Sequence, residues 1–213
     1  MASYISSTAS ERRSRFPYVM SAWSSCHMGL LSISAYCLVN NRILGEVDAF
    51  GAIVFTSMIC LAYGQYLAQK LAHGLAYPRR LLILFFCANL LTLGPAFLSH
   101  PLTVWIQKSN WTGTGLAFIA AVSLFGPAML LMSTMPGYSV AIIIQQRGGS
   151  RGQVVGQLLV LQLGGYAIGI WVAAGFLSPA RPPLLLLASA LIISLMLIFV
   201  LLIRDPTRII KGH

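Results

Sequence analysis

Charge is what this sequence lacks most. Only 8% of its 213 residues are Asp, Glu, Lys or Arg, against about 25% in an ordinary soluble domain. Acids are scarcest: four Asp and Glu stand against fourteen Lys and Arg, so the net charge of +10 reflects missing carboxylates more than abundant bases. This excludes a nucleic-acid binder of the usual basic kind, a disordered chain and a water-soluble enzyme. Cysteine is sparse as well. Cys26, Cys37, Cys60 and Cys87 form no CxxC pair and fall in or near apolar runs, so they read as reduced packing residues, neither zinc ligands nor disulfides. There is no GxxxxGK[ST] phosphate loop and no ten-residue alternation of the kind a transmembrane barrel needs. What fills the chain is apolar: 57% hydrophobic residues, with a mean hydropathy of +0.80. The class this implies is an all-α, polytopic membrane protein.

The charge-free gaps locate the spans. The intervals Arg15–Arg42, Asp48–Lys70, Arg80–Lys108, Lys108–Arg147, Arg151–Arg181 and Arg181–Arg204 each exceed the ~20 residues that one helix needs to cross hydrocarbon. Six transmembrane helices are predicted, over 17–39, 49–69, 81–99, 115–144, 153–177 and 183–203. They form one domain, 16–203, between a basic N-terminal segment, 1–15, and a short basic tail, 204–213. The N-terminal segment is expected to be unstructured or to lie on the membrane surface, and it lacks the pattern of a cleavable signal peptide. Eleven of the fourteen basic residues fall on one side of this arrangement and three (Arg42, Lys108, Arg181) on the other. The positive-inside rule then places both termini in the cytoplasm. Trp105 and Trp111 flank an outer loop, where interfacial rings are expected.

Small residues punctuate the apolar runs. Gly152 and Gly156 are four apart, as are Gly165, Gly169 and Ala173, which predicts a small-residue stripe along one face of the fifth helix. Such a stripe lets a second helix approach closely, inside the bundle or from a partner. Gly64, Ala68 and Ala72 make a similar stripe on the second helix, and the two helices would hold equivalent places in two three-helix repeats. Pro127 and Pro136 are expected to kink the fourth helix, Gly126-Pro127 and Pro136-Gly137 reading either as a hinge or as fixed bends.

The stretch from Gly64, GQYLAQKLAHGLAYPRRLLIL, resembles the loop between the second and third helices of major facilitator transporters. It is closer to the corresponding loop in the membrane domain of bacterial spermidine-synthase-like proteins. LLMSTMPGYSVAI (130–142) resembles that domain's fourth helix, and GQVVGQLLVLQLGGYAIGIWVAAGFL (152–177) its glycine-rich fifth. The likeness runs over roughly 45–203 and implies a bacterial inner-membrane protein. Two departures limit it. Only RDPTRIIKGH follows Ile203, so the aminopropyl-transfer activity of a soluble synthase domain does not carry over, and Gln162 stands where that family often has Asn.

Few residues remain that carry chemistry. Ionisable side chains inside a membrane are functional candidates by default, and His27 is the one well inside a span. It reads either as a structural residue or as a ligand for a haem or pigment metal. Gln65, Gln69, Asn89, Gln157 and Gln162 read as interhelical hydrogen-bonding groups. Arg79, Arg80, Arg147 and Arg151 would meet lipid headgroups or a partner at the cytoplasmic face. No metal site and no bound cofactor is expected; the expected partners are membrane lipids and either other membrane subunits or a second copy of the chain, with no nucleic acid. The pattern favours a non-catalytic subunit of a larger inner-membrane assembly, such as an energy-converting complex. The alternatives are a small-solute transporter built as a dimer of six-helix halves, and a redox or pigment subunit using His27.

Overall fold

The computed structural model describes residues 2–42, 46–73, 76–108, 114–147 and 150–176, together with 187, 190–192, 194, 195, 197 and 198. Six helices are defined among them: α1 (Ala2–Arg42), α2 (Glu46–Leu71), α3 (Pro78–Thr92), α4 (Gly94–Lys108), α5 (Thr114–Arg147) and α6 (Arg151–Phe176). No strand occurs among the described residues. In hydrocarbon every backbone N–H and C=O must be paired within the segment, and long runs of Leu, Ala, Val and Ile do this as helix. Four stretches are long and apolar enough to cross a membrane: Arg15–Asn40, Ala49–Leu71, Gly115–Gln146 and Arg151–Gly175. They correspond to the first, second, fourth and fifth predicted spans.

Two expectations need correction. The predicted third span, 81–99, is not one helix. α3 stops at Thr92 and α4 begins at Gly94, carrying regular helix to Lys108 through most of the predicted outer loop. Pro95 is the cause: it has no N–H to give the carbonyl of Leu91, and its ring crowds that turn. The chain tightens instead, with Leu93 N–H donating to Leu90 O at 3.1 Å. Each of α3 and α4 has 15 residues, about 22 Å at 1.5 Å per residue, and falls short of the ~30 Å hydrocarbon layer. The second correction concerns residues 2–14. They are helical and continuous with the first span, since no Gly or Pro interrupts the chain before Pro17. Most of the predicted sixth span and all of 204–213 lie outside the described residues; those described within the span are helical.

Side-chain contacts fix the directions of the helices. α2 and α5 run parallel: Ser57 meets Met129, Gln65 meets Ser133 and Ala68 meets Gly137, in ascending order on both. α1 and α6 are also parallel, with Tyr18 on Gln157, Ala22 on Gly165 and Cys26 on Gly169. Between α2 and α5 the chain returns along α5 in the opposite sense. Ala76 N–H donates to Gln145 Oε1 (2.9 Å) and Tyr77 N–H to Tyr138 Oη (3.0 Å) at one end. At the other end Leu98, Pro101 and Trp105 of α4 line an open apolar pocket of about 350 Å³ with Ser123 and Leu124 of α5. The interrupted pair α3–α4 thus makes one antiparallel passage along α5.

α1 and α5 form the centre. α5 packs against α1, α2 and α3, and α1 packs chiefly against α6 and α5. One apolar cluster joins Leu31, Ala35 and Leu38 of α1 to Ala52 and Ile53 of α2 and to Ala121, Phe125 and Met129 of α5. A second joins Met20, Ala68, Leu81, Phe85, Met135 and Tyr138. α2 and α6 are peripheral and turn Phe50, Phe55, Met58, Val160, Leu163 and Trp171 outward.

Candidate functional site

His27 sits on the inner face of α1 and is only 2% exposed. Its Nδ1 lies 2.9 Å from Ser194 Oγ, a residue 167 positions away, so this pair ties α1 to the last helical segment. Phe85 of α3 meets the imidazole edge-on, with ring centroids 6.5 Å apart. Among the described residues His27 Nε2 is buried without a hydrogen-bond partner. One turn beyond Phe85, the fully buried Asn89 donates from Nδ2 to Phe85 O (2.8 Å), and its Oδ1 is likewise unpartnered. One turn before His27, the indole Nε1 of Trp23 is a third buried atom without a partner, and Ser21 Oγ and Ser139 Oγ complete the set. The buried hydroxyls of Ser24, Ser25, Ser32 and Ser34 behave differently: each donates to a carbonyl three or four residues back in α1, which makes a polar helix tolerable in an apolar interior. No group of three His, Cys, Asp or Glu side chains that could hold a metal ion occurs among the described residues.

The predicted small residues divide into two sets. Gly165 and Gly169 press against the backbone of Ala22 and Cys26 in α1, Gly29 presses back on Tyr166, and Ala173 is fully buried. Gly152 and Gly156 have open space where a Cβ would stand, as do Gly164 and Gly175. The stripe therefore does not lie on one face, as the four-residue spacing suggested. Gly156 and Gly165 are nine residues apart, two and a half turns of helix, which puts them on opposite sides. Gly64 closes on Ser133 of α5, while Ala68 closes on Gly137, which follows the buried Pro136. Around this crossing Ser133 Oγ shares its proton between Cys60 O of α2 and Leu130 O of its own helix, and Gln65 Nε2 donates to Ser133 O at 3.4 Å. Pro127 is exposed in a helix that continues through both prolines. The partner positions Gly29 and Ser133 were not singled out from the sequence, and Gly137 only beside Pro136 at a candidate hinge, although Ser133 and Gly137 are themselves a small pair four residues apart.

The basic residues gather at one end of the bundle. Arg15 precedes the first apolar turn of α1, Lys70 ends α2, Arg79 and Arg80 open α3, Arg147 ends α5 and Arg151 opens α6. Arg80 Nη1 donates to Leu71 O (3.3 Å) and stacks on Tyr77; Lys70 Nζ stands 4.8 Å over the Tyr66 ring. Arg79, Arg80 and Arg151 are exposed. α1 and α4 end at the other end of the bundle, at Arg42 and Lys108.

No protein-family model matches this chain, and no curated protein or solved structure matches it significantly. The functional reading rests on these helices alone.

Proposed function

We propose that the protein is a non-catalytic integral membrane subunit whose α6 presents its outward face to a transmembrane helix of a partner. The observation that carries this reading is the outer face of α6. Gly152, Gly156 and Gly164 stand open there beside Val160 and Leu163, with Trp171 at 78% exposure. A glycine facing lipid gives up about 1 kcal/mol of helix propensity relative to alanine and gains no contact in return. A glycine under a crossing helix regains that through close packing, as Gly165 and Gly169 do on the opposite face. In this reading α3–α4 is the third crossing and 183–203 the sixth, the basic end faces the cytoplasm with both termini, and the membrane is a bacterial inner membrane.

The test is purification from native membranes in mild detergent, followed by Gly164→Leu. The reading expects a stoichiometric membrane partner that crosslinks to a cysteine at 164 and is lost in Gly164→Leu while the subunit stays folded. A monodisperse lone protein, unaltered by that substitution, refutes it.

A second reading draws support from the pairing of helices. α2 packs on α5, and α6 packs on α1; α3 packs on α5, and the Ser194 segment bonds to α1. Numbered by predicted span, contacts 2–4 and 3–4 are answered by 5–1 and 6–1, the exchange expected of two three-helix repeats. That architecture suits one half of a carrier, with the second half supplied by another copy. Flux of small metabolites into proteoliposomes, absent for the subunit reading, separates the two.

A further inference from the structure

The corner where α2 gives way to α3 gathers cations at the head of an apolar surface. Lys70, Arg79 and Arg80 are all exposed there. Arg80 Nη1 reaches across the corner to Leu71 O at 3.3 Å, which brings its guanidinium to the last turn of α2, the turn that carries Lys70. Arg79 is its neighbour in the first turn of α3. The carboxylates lie elsewhere: Glu46 and Asp48 begin α2 at its far end, more than about 30 Å from Lys70 at 1.5 Å per residue, and Glu11 is on α1, one turn before Arg15. Two of the cations stand against phenol rings, Lys70 Nζ 4.8 Å over Tyr66 and the Arg80 guanidinium 5.6 Å over Tyr77, and Tyr63 meets Tyr66 with centroids 5.8 Å apart. All three tyrosines are exposed, and exposed tyrosine beside basic residues is the composition of a membrane–water interface. Below the cations, Arg79, Ile83, Phe86 and Leu90 follow one another at spacings of four, three and four, which places them on one face of α3. Ile83, Phe86 and Leu90 are 52%, 42% and 48% exposed, while Leu82, Phe85 and Asn89 are buried on the other side. From Arg79 to Leu90 the helix rises about 16 Å, half of the ~30 Å hydrocarbon layer.

We propose that the α2–α3 corner binds an anionic phospholipid of the leaflet at the basic end, with its phosphate on Arg79 and Arg80, Lys70 beside them, and an acyl chain along Ile83, Phe86 and Leu90. The proposal rests on the helices crossing a membrane and holds whether or not α6 has a partner. Guanidinium groups meet phosphate oxygens through paired N–H donors, and Arg80 gives only one of its five to Leu71 O. The charge selects the headgroup. A zwitterionic lipid brings its own cation to the corner, whereas an anionic one leaves a net negative charge for Lys70, Arg79 and Arg80 to balance. The stripe selects a lipid over a soluble anion, which would make no use of one leaflet's depth of apolar helix in line with Arg79.

The experiment places the full chain in phosphatidylcholine vesicles doped with a photoactivatable lipid that carries a diazirine in its acyl chain. The dopant is either phosphatidylglycerol or phosphatidylcholine, at equal mole fraction, and labelling of residues 83–90 is read by mass spectrometry against labelling of the outward face of α6. The proposal expects phosphatidylglycerol to label 83–90 at least about threefold more than phosphatidylcholine does, with no such preference on α6. Arg79→Gln with Arg80→Gln should bring the two lipids to parity at α3, and Arg151→Gln, an exposed cation of α6 at the same end, should leave the preference intact. Equal labelling by the two lipids in the unsubstituted chain overturns the proposal without recourse to any variant. So does a preference that Arg151→Gln lowers as much as the Arg79/Arg80 pair does, which would reduce it to general surface charge. Loss of the preference to inorganic phosphate at constant ionic strength assigns the corner to a soluble anion and overturns it too. A chain that does not enter the vesicles overturns the site and the membrane reading together.

Discussion

Gly169→Ala is the sharpest single test of how this bundle is held. A Cβ on Gly169 would collide with the carbonyl oxygen of Cys26, and would stand 2.8 Å from its carbonyl carbon and 3.1 Å from its Cα. All three are backbone atoms of α1 and cannot rotate away. Restoring an ordinary contact of at least ~3.4 Å requires α1 and α6 to separate by roughly 1 Å along a crossing that also includes Gly165 and Gly29. Overpacking of this kind costs about 1–3 kcal/mol. The gain in helix propensity, up to about 1 kcal/mol, offsets part of it. A net loss of about 1–2 kcal/mol is expected, a five- to thirty-fold fall in the folded-to-unfolded ratio. Gly164→Ala, five residues away on the same helix, meets nothing within 4 Å and keeps only the propensity gain, so it should be neutral or slightly stabilising. The assay is reversible unfolding by increasing SDS in mixed micelles, followed by tryptophan fluorescence, with both variants run beside the parent. Equal effects of the two substitutions, or a larger loss for Gly164→Ala, would refute the assignment of α6 to α1.

Gly64→Ala should destabilise by a similar amount, and Ser133→Ala should relieve only part of it: the hydroxyl is in the way, but so is the Ser133 carbonyl carbon at 2.8 Å; the SDS titration of the double variant measures this. Tyr138→Phe leaves the Tyr77 N–H without its acceptor where α3 begins, and a loss of about 1–2 kcal/mol is expected, with faster amide exchange at Tyr77 by mass spectrometry. Cysteines at Arg79 and Arg151 should be labelled by impermeant maleimide from the cytoplasmic side of oriented vesicles and a cysteine at Lys108 from the opposite side; labelling of 79 and 108 from one side would overturn the proposed third crossing. Pro95→Ala restores an N–H able to donate to Leu91 O and should make the helix continuous across Leu93, with slower amide exchange at 93–95; unchanged exchange would mean that packing on α5, and not Pro95, sets the interruption.

Four spans were legible because charge burial is a property of one residue at a time. Arg15, Lys70, Arg147 and Arg151 each mark an end of a helix long and apolar enough to cross a membrane. The third span was misread because its 27-residue charge-free interval hides a Gly94-Pro95 step, a backbone signal that hydropathy does not weigh. The glycine faces of α6 were half legible. Their phase follows from the spacing, since nine residues invert a helix face, but that α1 covers one face depends on Ala22, Cys26 and Gly29, whose small size means nothing until the helices are placed. His27 stood out in the sequence as an intramembrane ionisable group, yet its bond to Ser194 and its neighbour Phe85 come from helices far along the chain.

The position of α1 explains why those long-range partners matter. α1 is the least apolar of the four long spans, and its apolar stretch is as deeply enclosed as that of α5. In water the most polar helix would be pushed outward; here the exposed faces of α2 and α6 are apolar and the polar helix is enclosed, the arrangement a bilayer favours. Burial there is cheap for Ser24, Ser25, Ser32 and Ser34, because each hydroxyl closes on its own helix. It is not cheap for Trp23, His27 and Asn89, each of which keeps one buried polar atom without a hydrogen-bond partner among the described residues. A chain needing only apolar packing at that point would do better with Phe, Leu and Leu. Substituting each in turn, Trp23→Phe, His27→Leu and Asn89→Leu, should therefore cost less stability than truncating a buried polar group that is fully hydrogen-bonded.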